Sequence, residues 1–320
     1  MGVPLLEVED LRTYYITRAG PVRAVDGISF FVEKGEVFGL AGESGCGKTT
    51  AGLSILRLLP RYGKIVDGKI IFDGVNILEL SEHEFRRRYR WKRISMVFQG
   101  AMNALNPVFR VGDQIAEAIM LHENVTKEEA MERVRELFEK VGIEPSRVTN
   151  YPHEFSGGMK QRAMIALALA CNPELVIADE PTTALDVVIQ GQILDLMKKL
   201  RDEFNLSVIL ITHDLSVIAE MCDRVAIMYA GKLVECADVR TVFKEPAHPY
   251  TQGLISAIPS ITGPKTKLRS IPGVPPDLLN PPKGCRFHPR CPYATSRCRE
   301  EEPAYVEISS GHWVACHAVT

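Results

Sequence analysis

Nine consecutive residues, 42–50, constrain the fold of this 320-residue chain more than any other segment. They read Gly-Glu-Ser-Gly-Cys-Gly-Lys-Thr-Thr and fit the pattern G-x-x-x-x-G-K-[ST], between the apolar run Val37–Ala41 and a predicted helix starting near Lys48. The glycines let successive backbone N–H groups turn inward around phosphate oxygens, and the helix N-terminus adds partial positive charge. The segment therefore predicts a phosphate-binding loop rather than a chance glycine-rich turn.

The side chains of this loop have separate predicted roles. Lys48 is expected to reach the β- and γ-phosphates of a nucleotide, and Thr49 to ligate Mg²⁺. Cys46 occupies a variable position of the pattern, so its thiol is interpreted as a packing group and not as a nucleophile. The residues expected to contact nucleotide are Gly42, Ser44, Gly45, Cys46, Gly47, Lys48, Thr49 and Thr50.

A second signal is the apolar run at residues 175–180, which ends in two carboxylates, Asp179 and Glu180. A carboxylate at a strand end beside a phosphate loop can hold Mg²⁺ through its water shell, and Asp179 takes this predicted role. Glu180 is expected to orient or deprotonate the attacking water. An Asp-Glu pair by itself would indicate only a solvated strand end, but a preceding phosphate loop makes that interpretation the weaker one.

Composition excludes several other classes of protein. The formal net charge is −2, so no global field favours nucleic acid or anionic lipid. The longest stretch without charged residues, 246–264, contains four prolines and does not predict a membrane helix. Neither a signal peptide nor a myristoylation site is supported by the N-terminal residues, which include Glu7 and Glu9.

Short apolar runs alternate with longer amphipathic ones up to about residue 245, which predicts an α/β fold with a largely parallel sheet covered by helices. The region 101–147 differs because it shows two helical patterns and no comparable strand. It is interpreted as a helical insertion. The predicted strands are 37–41, 94–98, 175–178, 208–212 and 225–229, and the predicted helices of the insertion are 111–122 and 127–141.

Residues 155–162 read Phe-Ser-Gly-Gly-Met-Lys-Gln-Arg, and here the chain resembles the ATP-binding cassette (ABC) ATPases. Their signature is Leu-Ser-Gly-Gly-Gln, and the form with Phe and Met is usual in the branch that powers peptide import. A Ser-Gly-Gly at a helix start is physically a second anion site. The resemblance implies that Ser156, Gly157 and Gly158 of one subunit complete the ATP site of another.

The same resemblance assigns the remaining motif residues. Gln99 matches the glutamine that meets Mg²⁺ and the attacking water and links to membrane subunits, although Gly100 and Ala101 replace the usual Asp-Pro after it. Asp186 matches the loop that contacts the opposite subunit, and His213 matches the switch histidine at the γ-phosphate. Tyr15 is the better match to the aromatic residue that stacks on adenine, with Tyr14 as the alternative.

These motifs span residues 5–245, and the family fold that they imply has an N-terminal antiparallel β subdomain. The expected division is an ABC domain at 1–245, with a helical subdomain at about 100–165, and a C-terminal extension at 246–320. In the extension, 12 of the 20 prolines and 4 of the 8 cysteines of the chain are concentrated. The extension is too short to fold on apolar burial alone, which predicts a covalent or metal staple.

Cys285, Cys291, Cys298 and Cys316 are the candidate ligands of that staple, separated by five, six and seventeen residues. Zinc sites usually begin with a closer cysteine pair, whereas wide loops and four thiolates suit an iron-sulfur cluster. Zinc with help from His288, His312 or His317 is the second interpretation, and free or paired thiols are the third.

The extension itself resembles the tail of ATPases that serve dipeptide and oligopeptide importers, some of which carry a 4Fe-4S cluster on this cysteine spacing. The resemblance implies an ATP-hydrolysing importer subunit at the cytoplasmic face of the membrane. Its partners would be a second ABC subunit, identical or paralogous, two transmembrane permease subunits and, indirectly, an extracellular solute-binding protein.

Other functions fit the sequence less well. A soluble cassette ATPase acting on nucleic acid or ribosomes would normally show two cassettes or a long coiled coil, and a basic run at 86–93 is interpreted as a solvated face. An iron-sulfur regulatory protein with a vestigial nucleotide site is disfavoured by the intact ATP motifs. The same importer type could carry oligosaccharide or nickel instead of peptide.

Overall fold

The computed structural model describes residues 3–100, 104–257 and 271–319, which fall into two units. The first unit comprises Met1–Val32, Val37–Leu78 and Ile211–Thr320, and the second comprises Glu33–Glu36 and Glu79–Leu210. The strands are β1 (Leu6–Thr17), β2 (Gly20–Val32), β3 (Val37–Ala41), β4 (Gly63–Phe72), β5 (Val75–Asn76), β6 (Ile94–Val97), β7 (Leu175–Asp179), β8 (Ser207–Thr212), β9 (Arg224–Tyr229), β10 (Lys232–Asp238), β11 (Val306–Ser309) and β12 (His312–Val314). The helices are α1 (Lys48–Ile55), α2 (Glu82–Arg88), α3 (Val111–His122), α4 (Lys127–Lys140), α5 (Gly157–Leu169), α6 (Val187–Phe204), α7 (Leu215–Met221), α8 (Val239–Lys244), α9 (Pro249–Ser256) and α10 (Ser296–Glu300).

An antiparallel sheet forms the N-terminal part of the first unit, with strand order β2-β1-β4-β5. Leu6 pairs with Val32 on one side and with Phe72 on the other. Buried and more exposed residues alternate along β1, as expected for a sheet with one covered face. The predicted antiparallel β subdomain is confirmed.

A second set of strands in the same unit supports the phosphate loop. β3 is buried along its whole length and runs parallel to β9, with Phe38 opposite Arg224. β10 pairs with β9, β12 pairs with β10, and β11 pairs with β12, all antiparallel. The last two strands belong to the cysteine-bearing extension, so the extension enlarges the sheet.

Buried polar contacts anchor this C-terminal hairpin. Glu235 on β10 is fully buried, and its carboxylate lies 2.8 Å from Nε2 of His312 on β12. The same carboxylate accepts backbone N–H groups of Ala247 and His248. Phe287 and Val314 of the extension are also buried. Packing therefore stabilises the described part of the extension, and a metal staple is not shown.

The second unit places two parallel strands beside a group of helices. Ile94 of β6 lies opposite Leu175 of β7. α4 begins with a capping box in which Thr126 and Glu129 exchange hydrogen bonds. Its Arg133 donates to Glu123 and to the carbonyl of Ala170, which ties α4 to the segments that follow α3 and α5.

The strands predicted from the apolar runs are all present, and so are both predicted helices of the insertion, at Val111–His122 and Lys127–Lys140. Residues 101–103, among them Ala101, and residues 258–270 lie outside the described part. The domain bounds at 245/246 and at about 100–165 stay predictions. No helix within the described residues is both long enough and apolar enough to cross a membrane.

Candidate functional site

The phosphate loop, residues 42–50, joins β3 to α1 in the first unit, and close backbone contacts fix its glycines. A Cβ on Gly42 would lie 2.1 Å from the carbonyl oxygen of Met228, and one on Gly47 would lie 2.0 Å from that of Ala24. Both glycines also have positive φ, 149° and 110°. No side chain fits at either position, which explains two of the glycines in the pattern.

Lys48 is the first residue of α1, and its ammonium group lies inside the loop. Nζ donates to the carbonyl oxygens of Gly42 at 2.7 Å and Glu43 at 3.0 Å. The residue is 5% exposed. The loop thus orients the lysine along its own backbone, where a phosphate group would meet the ammonium and the N–H groups at the start of the helix.

Cys46 lies beside Lys48 but does not have the properties of a nucleophile. Its side chain is buried, and burial raises the pKa of the thiol even though Lys48 acts in the opposite direction. Its carbonyl accepts the N–H of Gly231 at 2.8 Å. The interpretation of the thiol as a packing group agrees with these contacts.

The contacts of the two candidate adenine-stacking residues differ. The hydroxyl of Tyr14 donates to the buried carboxylate of Asp26, which also accepts from Arg12. The hydroxyl of Tyr15 lies 2.9 Å from Oγ1 of Thr50 in the phosphate loop, and its ring lies 5.5 Å from that of Tyr62. These contacts favour Tyr15, and they add Tyr62 as an aromatic neighbour that the sequence patterns did not indicate.

The carboxylates predicted for metal binding and water activation lie in the second unit. Asp179 ends β7 and is 1% exposed. Glu180 follows with a positive φ of 46°, and its Oε2 accepts from Nε2 of Gln99 at 2.7 Å and from Oγ1 of Thr183 at 2.9 Å. The structure therefore brings Gln99 and Glu180 together, and adds Thr183 as a donor that no motif identified.

Ser156 and Asp186, which are predicted to contact the opposite subunit, each cap a helix in the second unit. Ser156 is the N-cap of α5 and accepts the N–H of Met159 at 3.3 Å, so the Ser-Gly-Gly sequence does begin a helix. Asp186 caps α6 by accepting the N–H of Ile189 at 3.0 Å. A Cβ on Gly158 would lie 2.8 Å from the side chain of Ile189, so the starts of the two helices are adjacent.

His213 follows β8 and is exposed. Next to it, the hydroxyl of Thr212 accepts the N–H of Asp214, and the carboxylate of Asp214 caps α7. His213 thus lies in a hydrogen-bonded turn between a buried strand and a helix.

The four tail cysteines line one cavity of about 70 Å³, together with His288 and His317. Burial raises the pKa of Cys285 to about 11, with the neighbouring thiols acting in the same direction. His312 contacts Glu235 instead. Across residues 3–100, 104–257 and 271–319, no group of three or more His, Cys, Asp or Glu side chains is arranged to hold a metal ion.

Comparisons with known proteins give the same outline. The profile of the ABC transporter family matches residues 25–183. The profile described as "Oligopeptide/dipeptide transporter, C-terminal region" matches residues 234–298.

Relatives match almost the whole chain. A probable peptide ABC transporter ATP-binding protein of Sinorhizobium fredii is 52% identical, covering 98% of this chain and 94% of that protein. The dipeptide transport ATP-binding protein DppD of Escherichia coli is 46% identical, with coverages of 98% and 96%. A solved dimeric ATP-binding cassette, MJ0796 bound to ADP and Pi, matches with a TM-score of 0.65 and 27% identity, covering 73% of this chain and 99% of that one.

The phosphate loop and the strand-end carboxylates define an ATPase of the P-loop class. Within that class, the chain belongs to the ATP-binding proteins of ABC transporters. It is an ATP-hydrolysing subunit.

Proposed function

We propose that this ATPase powers the uptake of dipeptides or oligopeptides through two transmembrane permease subunits, which an extracellular binding protein supplies with solute. The observation that carries the proposal is the match to peptide-transport ATP-binding proteins over 98% of the chain. That match includes the extension. The C-terminal profile of oligopeptide and dipeptide transporters matches the extension as far as residue 298. The subunit would work at the cytoplasmic face of the cell membrane.

Nucleotide binding would depend on the phosphate loop. Gly42 and Gly47 keep the backbone in the shape that directs N–H groups inward, and Lys48 supplies a positive charge to the β- and γ-phosphates. Thr49, Asp179 and Gln99 are the proposed holders of Mg²⁺. When bound, Mg²⁺ would neutralise phosphate charge.

Hydrolysis would depend on Glu180. Its Oε2 already accepts two hydrogen bonds, from Gln99 and Thr183, which fix the plane of the carboxylate. The carboxylate held in this way would accept a proton from the attacking water. His213 is the proposed donor that stabilises charge developing on the γ-phosphate.

Two subunits would close head to tail over two molecules of ATP. Ser156, Gly157 and Gly158 of one subunit would meet the γ-phosphate held by Lys48 of the other, and Asp186 would contact the opposite subunit. Loss of the γ-phosphate would remove these contacts and favour the open state, which is the differential binding that a ligand-driven switch needs. The permease subunits would convert this opening and closing into transport.

A cassette acting on nucleic acid is the alternative from another class. The basic run at 86–93 would be its binding surface, but Arg90 forms an ion pair with Glu82, and Arg93 one with Glu174. With a net charge of −2, little positive field is left for a phosphate backbone. Selectivity for the solute would lie in other subunits. The transport test therefore also measures import of oligosaccharide and nickel.

The test uses the complex of this chain with its natural permease subunits in vesicles. Glu180→Gln should retain ATP binding, trap the closed dimer and reduce hydrolysis by about 10³-fold, because the amide cannot take up the proton. Glu132→Gln, an exposed glutamate paired with Arg135, is the matched control. Hydrolysis at the wild-type rate by Glu180→Gln would refute the proposed role of Glu180. Vesicles that accumulate oligosaccharide or nickel but no peptide would refute the assignment of peptide as the solute.

We also propose that Cys285, Cys291, Cys298 and Cys316 hold an iron-sulfur cluster of the 4Fe-4S type. All four thiols line one cavity, which fits a ligand several atoms across. Bound there, the cluster would cross-link the extension from residue 285 to residue 316.

Elemental analysis of anaerobically purified protein tests this assignment. About four irons per chain and a brown colour are expected, and Cys298→Ser should reduce both, whereas Cys222→Ser should not. Stoichiometric zinc without iron would overturn the cluster.

A further inference from the structure

Residues 285–291, hereafter the cysteine loop, carry two arginines between Cys285 and Cys291. The turn is held by backbone hydrogen bonds from His288 to Cys285 and from Arg290 to Phe287. Arg286 and Arg290 are both buried, although each bears a charge. Buried arginines need partners, and the partners show what the loop does.

Arg290 reaches the phosphate loop. Its guanidinium donates to both carboxylate oxygens of Glu43, at 2.6 and 2.9 Å. Its Nε donates to the carbonyl of Pro272 at 2.9 Å, and the arginine side chain is only 5% exposed. A bidentate, mostly buried pair of this kind fixes orientation as well as distance.

Glu43 occupies a variable position of the phosphate-loop pattern, so phosphate binding does not require its side chain. Its backbone, however, shapes the site: the carbonyl accepts from Lys48, and the N–H donates to the hydroxyl of fully buried Tyr250 at 3.0 Å. A continuous set of contacts therefore runs from Arg290 through Glu43 to the lysine that meets phosphate.

Arg286 provides a second, independent connection. It donates to the carbonyl of Ala230 and to the carboxylate of Asp26. The next residue, Gly231, donates its N–H to the carbonyl of Cys46 inside the phosphate loop, at 2.8 Å. Both arginines of the cysteine loop are thus connected to the phosphate loop, Arg290 directly at Glu43 and Arg286 through the backbone next to Cys46.

We propose that the cysteine loop sets nucleotide affinity, with Arg290 as the positioning residue that holds Glu43 and thereby the phosphate loop. Loss of Arg290 frees the loop backbone and leaves the Glu43 carboxylate unpaired near bound phosphates, and both effects weaken ATP binding. A change in the cysteines would reach the ATP site by the same route. The proposal rests on the proposed ATP-binding role of residues 42–50.

The first experiment measures Mg-ATP affinity by titration of the purified full-length chain. Arg290→Gln should weaken binding about tenfold, which corresponds to about 1.4 kcal/mol. Arg297→Gln is the matched control, because Arg297 is an exposed tail arginine paired with Glu301. Iron content and thermal unfolding are measured on each variant, so that loss of the cluster or of the fold is recognised.

A double-mutant cycle separates positioning from general packing. If Arg290 acts through Glu43, the double variant with Glu43→Gln should bind ATP more tightly than the product of the two single effects predicts. Glu43→Gln keeps the fold testable because its side chain is partly exposed. Independent effects, or an Arg290→Gln affinity equal to that of Arg297→Gln, would overturn the proposal.

The route from the cysteines is tested by Cys291→Ser. The substitution should lower ATP affinity in the wild-type background and have little further effect in the Arg290→Gln background. Equal effects in both backgrounds would contradict the route through Arg290. A wild-type chain that binds no nucleotide would refute the proposed function itself, which distinguishes the two failures.

Discussion

The phosphate loop and the cysteine-bearing extension obtain their shapes in different ways. In the loop, Gly42 and Gly47 lie so close to the carbonyl oxygens of Met228 and Ala24 that only glycine fits, and the motif records this requirement. In the extension, Phe287 packs against the rings of Tyr229 and Tyr250, and Arg290 pairs with Glu43, 247 residues away in sequence. Both regions depend on distant parts of their unit, but a short motif marks the first region in the sequence and no motif marks the contacts of the second.

Alanine substitution at two glycines of the phosphate loop gives the sharpest test of whether close backbone contacts require glycine there. Gly47→Ala should abolish detectable ATP binding, because its Cβ would overlap a backbone oxygen at 2.0 Å. Gly45→Ala meets no atom within 4 Å and adds only the strain of a positive φ, about 1–2 kcal/mol. Titration with a fluorescent ATP analogue measures both, and equal losses would mean that φ alone sets the loop shape.

Phe287→Ala tests the dependence of the extension on its unit. Phe287 is 2% exposed, and its truncation should reduce the free energy of unfolding by about 3 kcal/mol. Tyr293→Ala serves as control because Tyr293 is 66% exposed, and it should change stability by less than about 0.5 kcal/mol. Denaturant unfolding measures both. Equal stabilities would show that the extension does not rely on this packing.

The ring of His248 lies 5.7 Å from that of Phe287. This histidine should make the free energy of unfolding depend on pH. Burial lowers its pKa to about 3, while the unfolded chain titrates near 6.5. As pH falls below about 6.5, the unfolded state takes up the proton first, so stability should drop by about 2 kcal/mol by pH 5 or so.

His248→Asn should remove most of this loss and retain an acceptor for the N–H of Tyr250. Denaturant unfolding at about pH 7 and about pH 5 compares the two proteins. Parallel losses in both would assign the pH dependence to other groups.

A smaller effect, on the rate of hydrolysis, is expected at Thr183, which lies in neither the phosphate loop nor the extension. Thr183→Val removes the hydroxyl that donates to Glu180 and should lower kcat about fivefold, or about 1 kcal/mol, with KM for ATP unchanged. Thr149→Val is the control, because its exposed hydroxyl makes one long hydrogen bond of 3.4 Å to the carbonyl of Ser146 and is remote in sequence from Glu180. A raised KM with unchanged kcat would mean that Thr183 affects nucleotide binding instead.

Sequence patterns predicted the elements and motifs that depend on neighbouring residues. The apolar runs placed β3 and β7, and the glycines placed the phosphate loop, because periodicity and positive φ leave local traces. The contacts of Thr183 with Glu180 and of Tyr15 with Thr50 depend on the path of the folded chain, and so does the pair of Arg290 with Glu43. No spacing rule in the sequence contains these side-chain contacts.

The extension illustrates the same limit. Proline and cysteine counts located it, and its short length predicted that it needs a staple. Neither predicted that β12 would pair with β10 or that Glu235 would anchor His312. Strand pairing between distant segments depends on which edge is open once the core has formed, and a single sequence does not record that.

The hairpin of β11 and β12 also decides which backbone groups meet solvent. β12 pairs with the side of β10 opposite β9, and the short strand β11 then becomes the outermost strand, with Glu307 and Ser309 exposed. A chain cut before this hairpin would leave unpaired N–H and C=O groups along apolar β10, a template for strand addition by another molecule. Shortened versions of the protein should therefore self-associate, even when every residue of the ATP site is retained.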